Sequence, residues 1–163
     1  TVNYCTWPAF AQALLFLLMF TGGCSGSTAG GIKVIRWVIL RKQALNEMQR
    51  LLHPHGVFSI QLNRRPGRKD VVYSAAGFMF VYVVCLLVTF LAAALTGADI
   101  LTDMAAALTL VGNIGAAFGR IGCGGDFSFF PHWAKVLFSF SMLAGRLELY
   151  TIVILCVPDF WHR

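Results

Sequence analysis

The chain has 163 residues, of which 58% are apolar and only 12% charged, with a formal net charge of +6 and a mean hydropathy of +0.71. A soluble domain is about 45–50% apolar and about 25% charged, so composition argues against a soluble enzyme or binding module and for one membrane-embedded domain. Placement of charge argues against nucleic acid: nine of the thirteen Lys and Arg fall between Lys33 and Lys69, and a basic segment beside membrane spans marks the cytoplasmic side.

The first predicted element covers residues 8–40, entering from outside and leaving to the cytoplasm. Midway it dissolves into "FTGGCSGSTAGGIK". This is not a phosphate-binding loop: Gly26 and Gly31 have the required separation, but Ile32 stands where Lys is needed. Gly22, Gly26 and Gly30 form two overlapping G-x-x-x-G steps, which would suit a helix-packing face. That leaves Gly23 and Gly31 unexplained, and the hydroxyls of Ser25, Ser27 and Thr28. Five glycines in ten residues, each costing about 0.8–1.0 kcal/mol against Ala in a helix, point to a deliberately broken helix. Broken membrane helices expose carbonyls and hydroxyls, and in transporters these lie on the ion path.

A basic cytoplasmic linker is expected over 41–70. Residues 71–96 carry no charge and exceed the roughly 20 apolar residues a spanning helix needs, so the chain returns outward here. Residues 97–131 then lie outside. Within them "DMAAALTLV" (103–111) reads as a helix too short to span, with Thr102 or Asp103 placed to cap it. "GNIGAAFG" (112–119) follows, too rich in glycine for a regular helix. A short helix that dips in and returns as an extended glycine strand is a re-entrant loop, tolerated at membrane depth only inside protein or along a water-filled path. A potassium filter needs backbone carbonyls that replace the ion's water, and glycine permits the positive φ such a strand requires. The last span is expected over 133–157. Arg146 lies well inside it, roughly 20 Å along from Trp133 at about 1.5 Å per residue. A charge at that depth costs about 2.5–3.5 kcal/mol and needs a partner. Glu148 points to another face of the helix, and the orphaned carbonyls of the broken stretch 22–31 are the natural partner.

The five cysteines, Cys5, Cys24, Cys85, Cys123 and Cys156, are spread singly; neither a disulfide framework nor a zinc site is expected from them. His53 and His55 read as a solvated turn rather than a metal site. A membrane-embedded enzyme would need a carboxylate or nucleophile–base pair near these histidines, and only Glu47 is close. A non-conducting subunit that packs through G-x-x-x-G is the other rival. The chain opens on Thr1 with no complete element, and is expected to be the C-terminal piece of a longer protein.

In order and spacing, "GGCSGSTAGGIKVIR", "RLLHP", "GNIG", "GRLE" and the terminal "PDFW" resemble the C-terminal part of the Trk/Ktr/HKT superfamily, of the TrkH type, over essentially the whole chain. The resemblance implies an all-α polytopic membrane protein, not an enzyme, in which four helix–pore helix–helix repeats surround one pore. Residues 1–40 would be the second membrane helix of the third repeat, broken at 22–31, and 71–163 the complete fourth repeat. It further implies a potassium-uptake pore in the bacterial inner membrane. The fourth filter segment would be Asn113, Ile114 and Gly115, with K+ on their backbone carbonyls and no cofactor. The intramembrane gating loop would be Gly22, Gly23, Ser25, Gly26, Ser27, Thr28, Gly30 and Gly31, with Arg146 facing the pore and stabilising the gate. Membrane lipid, a second copy in a homodimer and a TrkA-like nucleotide-binding cytoplasmic ring are the implied partners, and 33–69 is a plausible contact for that ring. Channel-like flow, K+/H+ symport and K+/Na+ symport all stay open, as does the rank of K+ over Na+. Ala117 departs from the family pattern, where a glycine often stands.

Overall fold

The computed structural model describes residues 3–24, 26–27, 29–53, 61–62, 65–66, 69–115, 117–147 and 149–156. Among these residues six α-helices follow a 3-10 turn at Tyr4–Thr6: α1 (Ala9–Leu18), α2 (Val34–Leu52), α3 (Lys69–Ala94), α4 (Ile100–Gly112), α5 (His132–Arg146) and α6 (Leu149–Cys156). Among the described residues the only strand pairing is a minimal antiparallel one, Gln61 with Pro66 and Leu62 with Arg65.

Helix α3 is the long apolar element. The most apolar 18-residue stretch of Asp70–Ala94 has a mean hydropathy of 2.4, yet only 28% of it is buried. A core helix of a water-soluble protein would hide that surface. Here Phe80, Val83, Leu87 and Leu91 form an exposed stripe at helical spacing, as a lipid-facing helix presents. Its other face holds Phe78, Tyr82, Thr89 and Ala93, all buried. Twenty-five residues extend roughly 37 Å, enough to cross a hydrocarbon core of about 30 Å with tilt.

Helix α4 packs between α3 and α5. Ten of its residues, Thr102, Asp103 and 105–112, are buried. The run Ala105–Ala107 lets the neighbouring backbones approach closely, which is how helices associate where no hydrophobic gradient drives them. One polar contact ties the two flanking helices: the hydroxyls of Thr89 and Ser141 lie 2.9 Å apart, both buried. At the α2 start, the Arg36 guanidinium sits 3.6 Å over the Phe78 ring and fixes α2 on α3. In the turn before α5, Asp126 accepts from the Ser128 amide at 3.2 Å and hydroxyl at 2.5 Å, and these bonds hold its carboxyl below the usual carboxylate range.

Several expectations need correction. The helix after the glycine stretch continues through Arg41, Lys42 and Arg50 to Leu52, so most of the described basic segment is helix, not linker. Helix α4 starts at Ile100 with Asp99 at its N-cap; the Thr102 hydroxyl caps nothing there and instead accepts from the Arg120 amide at 3.1 Å. The last span is not continuous, because α5 ends at Arg146 and α6 begins at Leu149. Most plainly, Cys5 and Cys123 form a disulfide across 118 positions, a pairing that wide spacing hides and three-dimensional proximity permits.

Candidate ion pathway

The strand that leaves α4 begins with a left-handed residue. Asn113 caps the helix with φ 54 and ψ 43, a conformation asparagine adopts more readily than most residues. The Ile114 amide bonds back to the Thr109 carbonyl at 3.1 Å. The Asn113 side chain donates to the Met142 carbonyl of α5 at 2.9 Å, so the start of the strand is tied to a second helix. Gly115 follows with φ +89, open to glycine at little steric cost. Ile114 and Gly115 are exposed although the helix feeding them is buried. A recess of about 380 Å³ lies beside them, bounded by Thr109, Phe138, Ser139 and Met142. The negative end of the α4 dipole points toward this strand.

The glycine stretch between α1 and α2 is a closed loop. None of its described residues is helical, so a G-x-x-x-G stripe on a helix face is not what these glycines form. Two backbone bonds pinch its neck, Gly22 N–H to Ile32 O at 2.8 Å and Val34 N–H to Gly23 O at 3.1 Å. A Cβ on Gly22 would come 2.3 Å from that Ile32 oxygen, so the neck tolerates no side chain. Further out, the Ser27 amide turns back to Cys24 O at 2.9 Å, and the Ala29 amide donates to Ser27 Oγ at 3.2 Å. A Cβ on Gly26 would meet nothing within 4 Å. Ser25 and Thr28 lie outside the described residues.

The loop meets the strand at a junction of glycines. Gly30 is buried, and a Cβ there would stand 3.0 Å from both Gly112 O and Asn113 Nδ2 and 3.1 Å from Gly145 O. Gly145 is more confined, since its Cβ would fall 1.9 Å from the Val111 carbonyl. The C-terminal ends of α4 and α5 thus converge on the returning limb of the loop. Arg146 follows directly on Gly145, exposed in the last turn of α5, where a cation complements the helix dipole. His53 is the exposed C-cap of α2, while His55 and Glu148 lie outside the described residues.

Sequence reasoning singled out Asn113–Gly115, the glycine loop and Arg146, and the structure brings the first two together. It missed Gly145, the Asn113 side chain and Tyr4, whose hydroxyl donates to the Ala117 carbonyl. Gly145 carried a signal, a glycine inside an apolar helical run, which marks close backbone approach. Tyr4 carried none.

A spanning helix, a buried half-length helix, a glycine-bearing exposed strand and a returning helix define a membrane protein built on the helix–pore helix–helix plan. The chain belongs to the TrkH family, whose model, described as a cation transport protein, matches residues 1–163. It is 37% identical over 163 residues to the Trk system potassium uptake protein TrkH of Escherichia coli K12, covering 100% of this chain and 33% of that protein. To the protein of the same name from Halomonas elongata it is 34% identical over 161 residues, covering 99% of this chain and 33% of the other. The crystal structure of the potassium transporter TrkH from Vibrio parahaemolyticus superposes with a TM-score of 0.86 at 36% identity, over 98% of this chain and 34% of that one. The chain therefore spans about a third of the length of the relatives it matches.

Proposed function

We propose that this chain supplies one filter segment and the gate of a potassium-uptake pore in the bacterial inner membrane. The observation that carries the reading is the exposed strand Asn113–Gly115 at the end of a buried half-length helix, with the loop of a broken helix packed against the same end. The names of the relatives support potassium as the ion. Carbonyls of Asn113, Ile114 and Gly115 take the place of the ion's water, and the helix dipole adds negative potential. Gly22–Gly31 lies below them and closes the path, its carbonyls accepting hydrogen bonds from Arg146. Two further repeats and the rest of the third complete the ring, and two copies form the dimer. A TrkA-like nucleotide-binding ring bears on the basic segment 33–69, which includes the helix Val34–Leu52.

Complementation tests this reading. The complete protein should restore growth at low external potassium, and rubidium uptake, to cells that lack potassium uptake. Correct membrane insertion without either result overturns it. In liposomes, reversal potentials under opposed H+ and Na+ gradients assign the mode: a shift with one gradient identifies the symported ion, and no shift identifies channel-like flow.

A further inference from the structure

The residues just before α1 make contacts that the pore reading leaves unused. Tyr4 donates its hydroxyl hydrogen to the Ala117 carbonyl and accepts from the Cys123 amide at 3.4 Å. Its ring packs edge-on against Phe118 at 5.5 Å, and Phe118 packs in turn on Phe16 of α1 at 5.8 Å. The next residue, Cys5, is the one joined by disulfide to Cys123. Gln12 of α1 holds the same turn from below, donating to Cys5 O at 3.0 Å and Trp7 O at 2.9 Å. The Tyr4–Cys5 pair is therefore a rigid bracket, fixed on α1 at one end and on the chain after the filter strand at the other.

What the bracket grips is the far end of that strand. Ile114 and Gly115 are exposed, whereas Ala117 is 1% exposed, so Gly115 lies on the open face and Ala117 in the interior. The Ala117 oxygen is enclosed on this inner side, with the Tyr4 hydroxyl bound to it and Gly122 so near that a Cβ there would stand 2.7 Å away. A carbonyl oriented into such a contact does not face an ion on the open side. Resting on the pore reading above, we infer that Tyr4 is a positioning residue that sets the outer limit of the ion-coordinating stretch, and that the Cys5–Cys123 disulfide locks it in place. Tyr4 precedes the broken helix while Ala117 lies at the far end of the filter strand. The bracket therefore couples one repeat to the filter of the next, and its target is ion discrimination rather than folding alone.

The test uses the complete protein in liposomes and reads the K+/Na+ selectivity ratio from bi-ionic reversal potentials, beside unfolding temperature and insertion level. Tyr4→Phe keeps the ring against Phe118 and removes only the hydroxyl. Loss of one hydrogen bond should lower the ratio about two- to tenfold, with insertion unchanged and the unfolding temperature lowered no more than by the loss of one such bond elsewhere. Tyr73→Phe, an exposed tyrosine on α3, should leave the ratio unchanged. A membrane-impermeant phosphine, oxidised to its oxide with an oxygen from water as the disulfide becomes two thiols, should lower the ratio in the unsubstituted protein. It should add nothing in the Cys5→Ser/Cys123→Ser double variant, whose ratio starts low. An unchanged ratio in Tyr4→Phe, or in the reduced protein, overturns the inference while leaving the pore reading intact. Absence of any cation flux in the unsubstituted protein overturns the pore reading itself.

Discussion

At Gly115 the backbone stands at φ +89, where a β-branched side chain clashes with its own carbonyls. Gly115→Val must therefore leave this region and swing the carbonyls of the strand away. Rubidium uptake should fall to background with membrane insertion unchanged; normal uptake would remove the strand from the filter. Asn113 is more tolerant of its own φ of 54, but its amide also holds Met142 O. Asn113→Ala should cost about 1 kcal/mol through the lost bond and a further fraction through the left-handed backbone, readable as a lower unfolding temperature in detergent. The positive φ at Gly115 could be anticipated because a glycine-punctuated strand after a short helix demands one. The side-chain bond of Asn113 could not, because Met142 is 29 positions away and no local pattern records it. The same holds more strongly for Cys5 and Cys123, which single spacing made look like free thiols.

The elements themselves were legible wherever hydropathy decides them. α3 and the short buried α4 are set by runs of apolar and small residues between charged or glycine-bearing ends. Their limits were less legible. Arg41 and Lys42 end an apolar run but not the helix, which continues to Leu52, and long straight side chains sustain a helix as well as Leu does. The interruption after Arg146 was hidden for the opposite reason. "LELYTIVILC" is apolar and helix-compatible, and the break falls where Gly145 meets the end of α4, a tertiary constraint. Two measurements probe this layer. Gly145→Ala places a Cβ 1.9 Å from the Val111 carbonyl, so α5 must move off α4; unfolding temperature and uptake should both drop sharply, whereas Gly26→Ala, with open space around it, should leave unfolding temperature unchanged. A double-mutant cycle on Thr89→Val and Ser141→Ala should return a coupling of about 0.6 kcal/mol and no more than about 1.7 kcal/mol, the range for buried interhelical hydroxyl bonds in membranes. A coupling of zero would show that each hydroxyl is satisfied by its own helix, through Cys85 O and Leu137 O.

At the scale of the whole molecule, Ile114 and Gly115 are exposed and a Cβ on Gly26 would meet nothing within 4 Å, so among the described residues nothing covers either on its open side. Irregular backbone survives at membrane depth only when walled in, so on the proposed pore reading the face carrying them is where further repeats would pack. On the proposed reading, gating would be a property of the assembled pore, and its test must be made there. If the loop plugs the path and Arg146 holds it by donating to its carbonyls, Arg146→Ala removes the donor. A charge-assisted hydrogen bond contributes about 1.5–3 kcal/mol, enough to shift a closed-to-open ratio roughly ten- to a hundredfold. Deleting residues 23–28 withdraws the plug and should act in the same direction. Arg146→Lys should fall between, since it keeps the charge and loses the planar fork of donors. Each change should raise ion flux through the complete protein in the absence of the cytoplasmic ring. Combining Arg146→Ala with the deletion should add little, because both remove one interaction. Flux that falls on deletion, or two effects that multiply, would make the loop a structural strut beneath the filter, held by the glycine junction at Gly30, Gly112 and Gly145 rather than by the arginine.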